Sequence, residues 1–560
     1  MERFNSHLRQ GRKLSLRNIF VTTRFRIEGR SRYVAKHRSM RKCLTTILFF
    51  LSVSPLVQAA PGADRHVVLM VWDGMRPDFV NATNTPTLSA LASRGVFFAN
   101  NHPVYVSSTE VNGTALATGA YPEHSGIIGN REFRPNLDSS GPIATESLDV
   151  MRQAEKGGGY LGVPTVAETL QRQGYTTAIA GTKEVVLLHD HAERPDDAAN
   201  VVLFAGESLP ESAAAGITNA LGRFFDKGGT KTNRDLWTAR ALTEVLWKKE
   251  VPAFSLLWMA EPDNTQHATG VGSPQSLAAI HNSDHALSLL IEALKAKGVF
   301  DQTDIFVVSD HGFSSISTSV DMVQQLRQAG FHAFRKFDAA PARGDVLLVG
   351  LGGTALLYVT DHDEKTIDRL VNFLQTQDSV GTICSAGPRE GTFALDDELV
   401  HSKNAPDVAF SLRWTPGDNK FGAPGMVITE AQGSNITPTA QRGTHASLSP
   451  FDMHNTLVAA GPDLRPGFVD ATPSGNVDVA PTILKILGAK PPPTIDGRIL
   501  SEALISPDAK PPTVVKKELR AHATLPTGEW TQTLDVSEVN GVRYLDQGTG
   551  KFTPKAHAAR

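Results

Sequence analysis

Cysteine is nearly missing from this chain: Cys43 and Cys384 are the two in 560 residues. A disulfide-stapled scaffold and a thiolate zinc module both need more, so both are excluded. Aromatic residues reach only 7%, and the formal charge is only −3, which signals no preference for polyanions. The apolar run CLTTILFFLSVSPLV is about 15 residues and carries Ser and Pro, short of the roughly 20 residues of a bilayer span. Gly at 47 and Pro at 33 are too few for a collagen-like or wholly disordered chain. What is present, hydrophobics at 41% and charged residues at 20%, suits a globular protein with one large core or a few smaller ones.

The near-zero charge averages two unlike regions. Residues 1–59 hold 13 Lys and Arg against two acids, Glu2 and Glu28, and the remaining chain carries a net of −14. Met40-Arg41-Lys42 precedes the apolar run, which ends in Val57-Gln58-Ala59. That order of basic, apolar and small-x-small segments is the layout of a secretory signal peptide. Residues 40–59 are therefore expected to be a signal peptide cut after Ala59. The product would be exported, periplasmic or secreted, with no stable membrane span. Residues 1–39 then form a basic extension: either the start is placed too early and Met40 is the true one, or the segment is a tail for anionic lipid or RNA. Cleavage leaves Cys384 without an intramolecular partner, so stability must come from the core or from metals.

From about residue 64 to 505, short apolar runs alternate with helix-period stretches. HVVLMVW, TTAIA, AFSLLWM, DIFVVS and DVLLVGLGG read as buried strands. TPTLSALASRG, VPTVAETLQRQG, LWTARALTEVLWKK, SLAAIHNSDHALSLLIEALKAKG and EKTIDRLVNFLQTQ read as helices, several closing at Gly. This alternation predicts an α/β domain: a central, mostly parallel sheet flanked by helices on both faces. A Gly-, Pro- and polar-rich stretch suggests a smaller inserted lobe within about 325–440. Residues 506–560 read as a linker followed by a short hairpin.

Ligands bind α/β sheets at the carboxyl ends of the strands. Asp73 ends one apolar run, Asp263 follows another with His267 four residues on, and Asp310-His311 closes a third. One such Asp is ordinarily a cap or turn residue. Three positions that supply three carboxylates and two imidazoles make a hard-to-borderline ligand set suited to Zn²⁺ or Mn²⁺. His445, in the loop QRGTHASLSP, is the candidate for a third imidazole. Two such ions need chemistry to perform. Ser107, Ser108 and Thr109 precede the small-residue run TALATG, which reads as a helix start, where backbone N–H groups favour anions. A hydroxyl there can be an activated nucleophile or merely an N-cap.

The motifs occur in a specific order: D-G-x-R-P-D at 73–78, T-x-x-x-L-x-x-x-G-V at 87–96, T-x-x-N at 109–112, T-G-x-Y-P-E at 118–123, E-P-D-x-x-x-H at 261–267, S-D-H-G at 309–312 and G-T-H at 443–445. From about His66 to Leu500 this series resembles the alkaline phosphatase superfamily, and within it the nucleotide pyrophosphatase/phosphodiesterase branch. The resemblance implies two divalent ions, Zn²⁺ first among them. One would be held by Asp263, His267 and His445, the other by Asp73, Asp310 and His311. Thr109 would be the nucleophile and a ligand, passing through a phospho-threonine intermediate. Asn112 would hydrogen-bond a phosphoryl oxygen.

The chain also departs from the branch. Thr109-Glu110-Val111-Asn112-Gly113 stands where members commonly read T-F-P-N-H, and His124-Ser125-Gly126 inverts the familiar S-H-G. Monoesterase and phosphonate-hydrolase relatives carry two basic residues on a segment like the one containing Lys183. Here the second position is Val185. Cleavage of phosphodiester or pyrophosphate bonds is thus the first expectation. A phosphomonoesterase or phosphonate hydrolase that binds substrate through Lys183 is the alternative. From another class, the chain could be an inactive, metal-stabilised binding protein. The absence of C-x-P-x-R and S-x-P-x-R excludes a formylglycine sulfatase. A net of −14 on residues 60–560 argues against nucleic-acid partners and for a small phosphate-ester or nucleotide substrate.

Overall fold

The computed structural model describes residues 65–195, 199–225, 231–431, 439–505 and 512–555. The expected basic extension and signal peptide, 1–59, and residues 506–511 of the expected linker lie outside the described residues.

The sequence alternation resolves into a nine-stranded sheet. Its order is Phe468–Asp470, Val96–Phe98, Leu457–Ala460, Thr303–Val308, His66–Trp72, Phe254–Met259, Thr177–Gly181, Val201–Phe204 and Glu207–Leu209. The five strands from Thr303–Val308 to Val201–Phe204 are mutually parallel. His66–Trp72 has no polar face because both of its faces are covered. Val67, Leu69 and Val71 enter one core, while Val68, Met70 and Trp72 enter the other. The first core is closed by helices Thr109–Thr118, Val166–Arg172 and Asn476–Ile486 through Leu116, Leu170 and Ile483. The second is closed by Pro86–Arg94 and Pro274–Ala296 through Leu88, Leu287 and Leu290. The predicted α/β class is therefore the observed one. Its parallel strands bring Asp73, Lys183, Asp263 and Asp310 to one sheet edge.

DVLLVGLGG is a strand, but not of this sheet. Val346–Gly350 belongs to a separate six-stranded sheet of Ala333–Phe334, Val346–Gly350, Thr354–Val359, Val408–Leu412, Val380–Ser385 and Phe393–Ala394. Helices Met322–Gln328 and Glu364–Leu374 pack on it, and Cys384 is buried there as a free thiol. A further, four-stranded sheet is formed by Trp414–Asp418, Pro424–Glu430, Ser314–Val320 and Gly443–Thr444. It starts just after Asp310-His311 and ends just before His445.

The C-terminal region differs from the linker and hairpin read in the sequence. Val514–Leu525, Gly528–Val539 and Val542–Pro554 form a three-stranded antiparallel sheet. Its middle strand alternates buried and less buried residues, with Trp530 and Leu534 facing the cores of the lobe. Polar contacts fasten it: Gln532 pairs with both backbone groups of Ile383 (2.7 and 2.9 Å), and Trp530 Nε1 donates to Gly391 O (3.0 Å). Trp530→Ala is expected to lower unfolding stability by about 3–5 kcal/mol, read as a shift of the urea midpoint. A shift worth less than about 1 kcal/mol would show that these strands are peripheral to the folded unit.

Candidate active site

Asp73 leaves its strand into Gly74, whose φ of +72° suits glycine, and a Cβ there would meet the Phe313 ring at 2.8 Å. The close approach lets Gly74 N donate to Asp310 Oδ1 (2.9 Å), tying two strand ends together. Asp263 N donates to Asp73 O (2.9 Å), tying in a third. Asp263 opens the helix Asp263–Thr269, so His267 lies one turn on, on the same face. Thr109 is the first residue of helix Thr109–Thr118, after Ser108 at the N-cap. Asp73, Asp310 and His311 are fully buried, and Thr109, Asp263 and His445 nearly so.

All three imidazoles are oriented alike. His311 Nδ1 donates to Gly312 O (2.8 Å), His267 Nδ1 to Gly443 O (3.0 Å) and His445 Nδ1 to Ser107 O (3.0 Å). With each Nδ1 proton held by a carbonyl, each Nε2 presents a lone pair, the arrangement a metal ligand needs. His267 Nε2 is 3.2 Å and His445 Nε2 3.8 Å from Asp263 Oδ1. His311 Nε2 is 3.3 Å from Asp310 Oδ2 and 3.6 Å from Asp73 Oδ1. Those three carboxylate oxygens are buried and receive no hydrogen bond among the described residues. Oxygens in that state are costly unless a cation meets them, so the donor set fits divalent metal. Asp263, His267 and His445 place one ligand atom each within 4.8 Å of one another, and so do Asp73, Asp263 and His311. Asp263 thus sits between the two groups.

The outer carboxylate oxygens are satisfied differently. Lys183 Nζ donates to Asp73 Oδ2 (2.7 Å) and Asp263 Oδ2 (2.8 Å), and Trp258 Nε1 also donates to Asp73 Oδ2 (3.1 Å). Burial opposes the ammonium charge of Lys183, but Asp263, Asp73 and Asp310 outweigh it and hold its pKa well above the usual range. Burial likewise opposes ionisation of Asp263, yet Lys183 and His267 hold its carboxyl well below the ordinary range. Asp73 is raised, by burial and then by Asp310, and burial pushes Asp310 up to about 7. One lysine does not neutralise three carboxylates, and further positive charge is called for.

Residues 67–391 match the family described as type I phosphodiesterase / nucleotide pyrophosphatase. The chain belongs to this family. It is 24% identical over 467 residues to human ectonucleotide pyrophosphatase/phosphodiesterase family member 7, covering 81% of this chain and 88% of that protein. A venom phosphodiesterase of Naja atra is 24% identical over 267 residues, 46% of this chain and 28% of that protein. In three dimensions the chain resembles murine ectonucleotide pyrophosphatase/phosphodiesterase 5, with a TM-score of 0.55 at 17% identity, over 79% of this chain and 100% of that one. A structure of an inactive threonine-to-alanine variant of that murine protein in complex with AMP superposes similarly, with a TM-score of 0.54 at 17% identity, over 76% of this chain and 96% of that one. The fold is that of the alkaline phosphatase superfamily, and the family membership makes the chain a phosphodiester hydrolase.

Within this family member, the structure sorts the three candidate hydroxyls. Ser107 Oγ is held by Ser447 O (3.0 Å), and the Ser108 hydroxyl makes no capping hydrogen bond. Thr109 Oγ1 lies 3.4 Å from His311 Nε2 and so faces the ligand cluster. Asn112 does not serve as expected. Its amide nitrogen donates to Val104 O and Ser108 O (both 3.0 Å), and its oxygen accepts from Val104 N (2.7 Å) and Asn476 Nδ2 (3.0 Å). Fully buried and fully bonded, it braces the loop before Thr109 and has no hydrogen-bonding group left for a substrate. Asn130, an amide not singled out in the sequence, lies beside Thr109: its Oδ1 accepts from Glu110 N (3.2 Å). The one available signal was the Gly-Asn pair following the His124-Ser125-Gly126 turn. Glu110 was missed too. Burial and Glu146 raise its pKa well above the usual carboxylate range.

Proposed function

We propose that this phosphodiester hydrolase is an exported enzyme that cleaves phosphodiester or pyrophosphate bonds of small, nucleotide-like substrates through a covalent threonine intermediate. The observation that carries the diester reading is the placement of Lys183. Its ammonium already bridges Asp73 and Asp263, and the second position expected to be basic is Val185, buried in the core. A dianionic monoester needs a cation for its additional charge, and Glu110 beside the nucleophile supplies none.

Two ions of the zinc type, held by Asp263, His267 and His445 and by Asp73, Asp310 and His311, would supply Lewis-acid polarisation and favour deprotonated oxygen at neutral pH. Thr109 Oγ1 forms the bond to phosphorus as the bond to the leaving oxygen breaks. Water then displaces the threonine oxygen and releases the phosphorylated product. Asn130 takes the positioning role first expected of Asn112, because the bond from Glu110 N turns its amide toward the helix start. The inactive threonine variant of the murine neighbour, described with AMP, supports both the nucleophile and the substrate class. The signal-like segment at 40–59 supports export, and no described helix is long and apolar enough to cross a membrane.

The test is a pair of substrates. The ratio of kcat/KM for bis-p-nitrophenyl phosphate over p-nitrophenyl phosphate is expected to exceed one, and a ratio well below one selects the monoesterase. Lys183→Ala is expected to lower both activities together, by about 10–100-fold, because it acts through the metal-ligating aspartates. A loss confined to the monoester would instead place Lys183 on the substrate.

A further inference from the structure

A second constellation of ligand type lies where the C-terminal strands meet the catalytic unit. His102 is in a short bridge strand with Ser474–Gly475, His454 is in the loop before Leu457–Ala460, and Asp546 is in the last strand. Their ligand atoms lie within 4.8 Å of one another. His102 Nε2 is 3.1 Å from Asp546 Oδ1, His454 Nε2 is 4.0 Å from the same oxygen, and the two rings are 4.6 Å apart between centroids. The ligand atoms of a tetrahedral zinc site stand roughly 3.4 Å apart for bonds of about 2.1 Å. The three atoms are therefore close to that spacing.

The hydrogen bonds around the cluster repeat the construction of the catalytic centre. His102 Nδ1 donates to Ser474 O (2.9 Å) and His454 Nδ1 to Pro450 O (2.9 Å), while Ser537 Oγ donates to Asp546 Oδ2 (2.8 Å). Each ligand is thus oriented by a group behind it. With the Nδ1 protons placed, the Nε2 lone pair of His102 faces Asp546 Oδ1, while His454 Nε2 lies 3.1 Å from the side-chain amide of Asn100. A lone pair held against an oxygen acceptor calls for a positive charge between them, either added protons or a metal ion. Two adjacent imidazolium rings 4.6 Å apart would repel one another. A divalent ion satisfies all three ligands without charging either ring.

We propose that His102, His454 and Asp546 form a metal site separate from the catalytic centre, which takes one divalent ion of the zinc class and clasps the C-terminal sheet to the catalytic unit. Two imidazoles and one carboxylate form a borderline-to-hard ligand set that favours Zn²⁺ over Ca²⁺ or Mg²⁺. The Asn100 amide oxygen stands by as a fourth donor. Asp546 belongs to the sheet and both histidines to the catalytic unit, so binding joins the two.

The experiment compares metal content. The full chain is loaded with Zn²⁺, desalted and measured for zinc per chain beside Asp546→Asn and His454→Gln. The wild type is expected to hold one ion more than either variant, with kcat on bis-p-nitrophenyl phosphate unchanged within about twofold. If Asp546→Asn does not fold, His454→Gln at a partly exposed side chain makes the same comparison. The converse variant, Asp263→Asn with His267→Gln, loaded with Co²⁺, is expected to keep at least one ion that Asp546→Asn removes. Equal metal content in all proteins would overturn the proposal and leave a hydrogen-bonded histidine–aspartate cluster. Activity lost in step with the ion would also overturn it, by showing that the residues act on the catalytic centre.

Discussion

Thr109→Ala is expected to lower kcat on bis-p-nitrophenyl phosphate by at least about 10⁴-fold, in the range seen when a covalent nucleophile is removed, with folding and metal content unchanged. The expectation follows from the geometry of the helix start. Of the three hydroxyls there, Thr109 is the one directed at His311, whereas Ser107 is bound to Ser447 O. Among the described residues the side-chain oxygen of Thr109 has a single, long polar contact at 3.4 Å, so its loss costs little stability and the effect falls on chemistry. Thr109→Ser keeps the oxygen and is expected to retain activity within about tenfold, a loss of about 1.4 kcal/mol in transition-state stabilisation. Rapid mixing with excess substrate should show a burst of p-nitrophenol from the wild type and none from Thr109→Ala. An alanine variant with a tenth or more of wild-type activity would assign the attack to water or to Ser108.

The second large effect is loss of metal. Dialysis against a chelator is expected to reduce turnover by about 10³-fold or more, since Lewis-acid stabilisation of phosphoryl charge is worth several kcal/mol. Zn²⁺ is expected to restore it. Stability should fall as well: removing an ion present at about a thousand times its Kd withdraws about 4 kcal/mol per site. The reason is local. Asp73 Oδ1, Asp263 Oδ1 and Asp310 Oδ2 are buried with no donor among the described residues, and Lys183 reaches only the outer oxygens of two of these side chains. Unchanged activity and an unchanged melting temperature after verified metal removal would refute the metal centre.

Much of this cluster was legible because its carboxylates and imidazoles stand next to strong signals. Strands such as His66–Trp72 are buried on both faces, so they read as unbroken apolar runs, and a polar residue just beyond each run is conspicuous. Asp263 and His267 show helical spacing before any helix is seen. His445 carries no such mark. It comes from a loop that reaches the site only because Gly443–Thr444 pairs with Ser314–Ser315 in another sheet, and such pairing leaves no local pattern. The amides were the harder problem. Asn112 has the motif position, but the Val104 backbone, Ser108 O and Asn476 take up its hydrogen bonds, and Asn130 is the amide beside Thr109 that we propose in its place.

What the amino-acid order determined by itself was the α/β class and the residue types gathered where its strands end. Those properties follow from periodicity, burial and chain direction, which act over a few residues. The tertiary structure alone decided the long-range partners. Lys183 reads as a free cation, yet it is closed between Asp73 and Asp263, because the strand next to its own on the parallel sheet and the one beyond it end at the same side. Residues 506–560 read as a linker and hairpin, but Val514–Leu525, Gly528–Val539 and Val542–Pro554 form three strands, because their apolar face matches a lobe distant in sequence. His102, His454 and Asp546 meet only through that docking. Contacts across such separations depend on which surfaces fit, and packing decides them where local spacing cannot.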